Sequence, residues 1–368
     1  MVETSERPWG RFFIPGPTEV RPEVLAAMTA PMIGHRVPEM EALMAHVQPG
    51  LRAVFRTERP VYVSASSATG LMEAAVRNGA RRQVLSLVNG AFSDRFFQIA
   101  RATGLAADAI EVPWGQAHAP EVLEQALRRG SYDAVTVVHS ETSTGVLNPV
   151  RELAAVARAA GDVAILVDTV SSMAGAAFET DAWGIDFVLT GSQKSFALPP
   201  GLAFAVAQDG ILERARSRTD RGIYFDVLEF EKYIDKNQTP NTPAISLLFA
   251  LRAQLDRMLA EGVDARLERH LAMARRTWQW VDHMREARGV ALQVLAPEGY
   301  RSPTVTCITL PEPWTGPRLY AAVRDKGWEI ATGYGALRDS SFRIGHMGEH
   351  TVAGLEELLG VLEETLTA

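Results

Sequence analysis

The chain has a single cysteine, Cys307, among 368 residues. That excludes an internal disulfide and any cluster of thiolate metal ligands. Cys307 lies in the alternating run from Thr304 to Leu310, where a packed small apolar residue is expected rather than a nucleophile. No stretch approaches the roughly 18 consecutive apolar residues of a membrane span. The N-terminus shows no secretory signal pattern, so a cytoplasmic protein is expected. Basic residues are in deficit, 37 Lys and Arg against 44 Asp and Glu, a formal charge of −7. This gives no electrostatic footprint for nucleic acid, and an anionic ligand would need cations gathered in its own pocket. No internal repeat or low-complexity segment stands out. What is present, 47% apolar and 22% charged residues, suits a globular protein with one large domain and a smaller one.

Residues 1–20 read as an extended arm, rich in Pro and Gly around Ile14-Pro-Gly-Pro-Thr18. Between about 60 and 210, short apolar runs alternate with helical patterns. The expected strands are 61–64, 83–88, 134–138, 164–167, 187–189 and 202–206; a helix is expected from Val150 to Ala160, stopping at Gly161. The alternation predicts an α/β fold with a mostly parallel sheet covered by helices on both faces. Ligands in such sheets sit at the carboxyl ends of the strands. A long helical stretch from Pro243 to about Arg288 breaks near Gly262, and its first half offers Ile245, Leu247, Leu248, Leu251, Leu255 and Leu259 as a buried stripe. Strand-like runs at 290–294, 305–310, 328–332 and 341–344, a helix near 317–326 and a last one over 352–366 complete an α+β pattern. The expected division is an arm over 1–20, a large domain over 21–255 and a small C-terminal domain over 256–368.

The turn Gly191-Ser-Gln-Lys-Ser195 carries Lys194 between two apolar runs, and Asp168 ends another, Ala164-Ile-Leu-Val-Asp168. Alone, Lys194 also suits a loop on the surface and Asp168 a helix cap. Together they meet the two demands of pyridoxal 5′-phosphate (PLP): an amine to hold its aldehyde as a Schiff base, and a carboxylate to keep its pyridine nitrogen protonated. An unpaired carboxylate on an apolar strand is costly, so Asp168 wants a cationic partner. The other strand-end turns agree. Ser64-Ala-Ser-Ser-Ala-Thr-Gly70 opens a helix with small residues whose N–H groups can converge on an anion. Asn89-Gly-Ala-Phe92 sets an aromatic ring just after a strand, where stacking on a planar ligand and core packing are equally open. His139-Ser-Glu-Thr-Ser-Thr-Gly145 closes a third strand with hydroxyl and acid groups, or is simply a polar turn.

These segments, with Pro15-Gly-Pro-Thr18, Ile33-Gly-His-Arg36, Pro240–Pro243 and Phe342-Arg-Ile-Gly345, run in a shared order through nearly the whole chain. In that order the chain resembles the class V aminotransferases of PLP fold type I, most closely the alanine–glyoxylate/serine–pyruvate group. The resemblance implies Lys194 as the Schiff-base lysine and proton-shift base, Asp168 as the pyridinium partner and Phe92 as the stacking ring, where many relatives carry Trp. It implies Ser67, Ala68, Thr69 and Gln193 at the phosphate, in a turn less Gly-rich than in many relatives. Thr142 is implied at the phenolic oxygen, and Gly16 and Arg343 on the substrate, Arg343 clamping its α-carboxylate. Asn241 and Thr242 are implied as phosphate ligands lent by the second subunit of a homodimer with shared sites. No metal is implied.

The activity this implies is ping-pong transfer of an amino group from a small amino acid (alanine or serine) to a small keto acid such as glyoxylate or pyruvate. Phosphoserine aminotransferase stays open because His35-Arg36 offers a phosphate contact across the dimer. A desulfurase needs a cysteine on a mobile loop, which a strand-embedded Cys307 does not supply. A kynureninase-type hydrolase and a non-catalytic PLP-binding regulator complete the alternatives; keto acid marks a transferase, sulfide a desulfurase, anthranilate a hydrolase, and no product the regulator. Tyr224, Phe225 and Tyr334 are candidates for the substrate pocket or for core packing.

Overall fold

Apolar strands that read as continuous rather than alternating runs belong in a sheet covered on both faces. The computed structural model, which describes residues 8–368, has that sheet; residues 1–7 of the expected arm lie outside the described residues. Its strands are β1 (Tyr62–Ser64), β2 (Gln83–Val88), β3 (Ala106–Glu111), β4 (Ala134–Val138), β7 (Ala164–Asp168), β8 (Phe187–Gly191) and β9 (Ala203–Ala207). A hairpin of β5 (Ser140–Glu141) and β6 (Val146–Leu147) interrupts the series. The strand order is β1-β9-β8-β7-β4-β2-β3, parallel from β8 to β3, with β9 antiparallel to both of its neighbours. The carboxyl ends of β1, β2, β4, β7 and β8 therefore share one edge.

The helices that precede and interleave with these strands are α1 (Pro22–Ala27), α2 (Pro38–Phe55), α3 (Ala68–Gly79), α4 (Ala91–Ala102), α5 (Pro120–Arg129), α6 (Val150–Ala159), α7 (Asp209–Arg216) and α8 (Val227–Ile234). Strands β4, β7, β8 and β9 are buried along their whole length. Each fully buried Val, Leu or Phe contributes roughly 1.5–3 kcal/mol, enough to let the strand ends carry polar groups inward.

The expected break at Gly262 separates α9 (Ile245–Glu261) from α10 (Val263–Ala287). Of the expected stripe on α9, Ile245, Leu248, Leu251 and Leu255 are buried, Leu247 is half-buried, and Leu259 is 45% exposed. Met258 takes the inward position at the last turn and turns Leu259 to solvent. Beyond α10 a second sheet runs in the order β10 (Gln293–Val294), β11 (Val305–Thr309), β13 (Ser341–Gly345), β12 (Ala331–Thr332), all antiparallel, packed with α11 (Gly316–Asp325) and α12 (Val352–Thr367). A second core forms here from residues such as Trp280, Ile308, Phe342 and Leu358. Phe13 belongs to it: Phe13 N donates to Glu329 O at 2.8 Å and Gly345 N to Phe13 O at 2.7 Å. This anchors the N-terminal segment and brings Gly16 to the edge of the large sheet.

Candidate active site

A cavity of about 290 Å³ opens where the strand ends of the large sheet converge. It is lined by Gly16, Ser67, Ala68, Thr69, Phe92, Thr142, Asp168, Gln193 and Lys194, nine of the twelve residues expected from sequence. Ser67 is the N-cap of α3, yet its side chain does not cap that helix; Gly70 N donates to Ser67 O (3.0 Å), which leaves the N–H groups of Ala68 and Thr69 available to an anion.

Asp168, the last residue of β7, is 2% exposed, and its Oδ1 accepts from Val170 N at 2.6 Å. Burial pushes its carboxyl up to about 7, so it is a group that gains from a cation held beside it. Lys194 sits in the turn between β8 and β9, 8% exposed, with its ammonium donating to Pro15 O. Burial, and next the Arg343 charge, bring its amine down to about 8. Two residues fix the backbone of this turn: Thr18 N donates to Gln193 O (2.9 Å) and Thr18 Oγ1 to Lys194 O (2.9 Å), while Arg266 Nη2 donates to Ser195 O (2.7 Å). Gly16 is there for space. A Cβ at that position would stand 2.6 Å from Lys194 Nζ, and its φ of +95° suits glycine.

Arg343 does not line the cavity. It lies behind the wall on β13, 7% exposed, with Nε donating to Thr332 O and Nη1 to Thr142 O, both at 3.0 Å. Its guanidinium sits 5.4 Å from the Tyr334 ring centroid, and Tyr334 itself lines the cavity. Asn241 and Thr242 are not brought to Lys194 within one chain. They are exposed, in a separate small cleft with Tyr224, Pro240 and Pro243. Phe225 packs against Gly70, so it serves the core.

Sequence reasoning missed three groups. Arg95 lines the cavity, one turn after Phe92 on α4, its guanidinium 5.0 Å from that ring, with no carboxylate partner among the described residues. The spacing of three along a helix could have placed it there. Ser171 also lines the cavity, its hydroxyl 2.5 Å from Thr142 Oγ1. Glu141, wholly buried, lies just outside on the hairpin. Cys307 is buried in β11 and burial pushes its thiol up, away from nucleophilic use.

A buried amine and a buried carboxylate facing one cavity, beside an uncapped helix N-terminus and an aromatic ring, define the kind of site that holds a phosphorylated, positively charged ring cofactor. Comparison with known proteins agrees. The family model for class V aminotransferases matches residues 64–312. An uncharacterized aminotransferase of Methanocaldococcus jannaschii is 38% identical over 357 residues, 95% of this chain and 90% of the relative. The L-aspartate–glyoxylate aminotransferase of Paracoccus denitrificans is 33% identical over 358 residues, covering 95% and 88%. Among solved structures, the alanine–glyoxylate aminotransferase of Nostoc sp. superposes with a TM-score of 0.91 at 29% identity, covering 100% of this chain and 97% of that one. The chain belongs to the class V aminotransferase family. It has the PLP fold type I architecture and is a PLP-dependent transaminase.

The residues present fit that cofactor: a buried acid (Asp168), a buried amine (Lys194) and the anion-binding start of α3, the three kinds of group its ring nitrogen, aldehyde and phosphate call for, line one cavity. No helix among the described residues is long and apolar enough to cross a membrane.

Proposed function

We propose that this transaminase moves the amino group of a small amino acid, alanine or serine, to a small 2-keto acid, glyoxylate or pyruvate. The observation that carries the reading is the pairing of Lys194 and Asp168, both buried, in one cavity. The named activities of the Paracoccus and Nostoc proteins, both with glyoxylate, support the acceptor. PLP supplies the electron sink that lets an α-proton leave. The residues supply the rest. Lys194, whose amine is about half neutral at pH 8, removes that proton at the α-carbon and returns it on the opposite side of the C–N bond. Asp168 holds the ring nitrogen protonated. Phe92 stacks on the ring, Thr142 meets the phenolic oxygen, and Ser67, Ala68, Thr69 and Gln193 hold the phosphate. Arg343 stands behind the Thr142 and Tyr334 wall, and Nε and Nη1 are fixed by backbone carbonyls, so Nη2, unbonded among the described residues, is the donor left to reach the α-carboxylate. Gly16 leaves room for the substrate beside Lys194.

Asn241 and Thr242 are read as phosphate ligands for the second subunit of a homodimer. Their exposure supports this, as do the solvent-facing apolar side chains of Ile223 (84% exposed), Tyr224 (44%) and Met32 (69%), which await a partner. Arg36 donates to the carbonyls of Thr239 (2.7 Å) and Pro240 (3.2 Å), so it braces this loop. That uses two of its five N–H donors; a phosphorylated side chain is the weaker substrate reading because the glyoxylate aminotransferases are the more similar relatives. The test is a panel of amino donors against glyoxylate, pyruvate and 2-oxoglutarate. Stoichiometric keto acid with parallel-line kinetics is expected; release of sulfide or anthranilate, or no turnover by the PLP-loaded protein, would overturn the reading.

A further inference from the structure

We propose that Glu141 is a positioning residue that ties the aromatic face of the cofactor cavity to the carboxylate clamp; the proposal rests on reading the cavity as the PLP site. Glu141 is fully buried and makes no ion pair at contact distance among the described residues; the charges of Lys194 and Arg343 act on it only from further off. An isolated buried carboxylate costs several kcal/mol, so its surroundings must hold it. They do so from two segments. From the start of α4, Phe92 N donates to both carboxylate oxygens (3.3 and 3.2 Å), and Ser93 N (2.9 Å) and Ser93 Oγ (3.0 Å) bond to Oε2. From its own hairpin, Ser143 N (3.1 Å) and Ser143 Oγ (2.6 Å) donate to Oε1. The N-cap of α4 is Gly90, which has no side chain to offer. A Cβ there would stand 2.4 Å from Glu141 Cγ and 2.5 Å from Cδ, so the glycine admits the carboxylate. Glu141 thus caps a helix from a different strand, at its positive end.

The consequence is mechanical. Phe92, held at its backbone N–H, presents its ring to the cavity. The next residue along the hairpin, Thr142, lines the same cavity and accepts from Arg343 Nη1 through its carbonyl at 3.0 Å. One carboxylate links the backbone that presents the Phe92 ring to the cavity with the hairpin whose Thr142 carbonyl holds the Arg343 guanidinium. Its shape matters as much as its charge. Both oxygens face backbone N–H donors, so a glutamine amide must turn its own NH2 against one of them whichever way it flips.

The test is Glu141→Gln, read by amide hydrogen exchange at Phe92 and Ser93 in the holoenzyme and in the cofactor-free protein. Both amides should exchange about tenfold faster or more, the cost of about one charge-assisted hydrogen bond. At saturating PLP the visible circular dichroism of the bound coenzyme should fall, and KM for keto acid should rise more than kcat drops. Glu141→Asp, which keeps the acceptors, should recover part of the protection. Exchange and dichroism unchanged in a folded Glu141→Gln protein would overturn the proposal. If that variant does not fold, Ser143→Ala removes the hydroxyl's bond to Oε1 together with the one it accepts from Ala91 N (3.1 Å), and should shift exchange at Phe92 and Ser93 by less than about tenfold; no shift overturns the proposal equally. A wild-type protein with no coenzyme band would instead refute the cofactor site, while the exchange data would still report on the tie.

Discussion

Asp168→Asn should change stability in opposite directions with and without the cofactor. In the cofactor-free protein the Asp168 carboxyl titrates at about 7, against an ordinary 3.8, because burial penalises its charge. The folded state then holds a proton that the unfolded state has released, so stability falls as pH rises from about 4 to about 7. The full penalty, present above about 7, is on the order of 4 kcal/mol. Asparagine cannot ionise and keeps the bond from Val170 N, but its NH2 group needs an acceptor of its own, so the net gain at pH 8 should be about 1–3 kcal/mol. With PLP bound the sign reverses: the wild type gains a cationic ring nitrogen beside its carboxylate, and the variant does not. Transfer should slow on the order of a hundredfold or more, as when a strong electrostatic contact in the transition state is removed. Thermal unfolding of both proteins, from pH 5 to 8.5, with and without PLP, reads all of this. If the two cofactor-free proteins differ by the same amount at every pH, or if the wild type is the more stable at pH 8, the burial argument for Asp168 is refuted.

In the cofactor-free protein, amine-selective labelling of Lys194 should rise with pH around a midpoint near 8, because burial lowers its charge first; a midpoint near 10 would place the amine in solvent. Arg343→Lys should raise KM for amino and keto substrates on the order of tenfold, the loss of one fork bond to a carboxylate, with cofactor binding nearly intact; unchanged KM in both half-reactions would put the clamp elsewhere. Mixing Lys194→Ala with the Asn241→Ala/Thr242→Ala protein should restore about a quarter of wild-type activity at limiting PLP, since about half the reassorted dimers are mixed and each has one good site of two. Tagged, reassorted dimers with no gain over the averaged parents would mean that these two residues do not act across an interface.

The strands that carry the site were legible because they are mostly apolar: β4 reads Ala-Val-Thr-Val-Val, β7 Ala-Ile-Leu-Val before Asp168, and β8 Phe-Val-Leu before Thr190. Asp168 was legible for the same reason, as the acid ending such a run, and Lys194 as the amine in the turn between two of them. β3 was not. Its sequence, Ala-Ala-Asp-Ala-Ile-Glu, has one β-branched residue and alternates between exposed and half-buried at the edge of the sheet, so neither propensity nor pattern marks it. Glu141 sat in a quoted motif, yet what it holds, the start of α4, is distant in sequence and only the folded chain brings the two together. Arg343 shows the complementary limit: a family pattern points to it, but that it stands behind Thr142 rather than in the cavity wall is set by the β11–β13–β12 register.

The central claim, that Lys194 is the amine which holds the cofactor, is tested most directly by borohydride. The PLP-loaded protein should be yellow, reduction should abolish the visible band, and peptide mapping should find one pyridoxyl adduct, on Lys194. An adduct on Lys232, Lys236 or Lys326, with Lys194 unmodified, would contradict it.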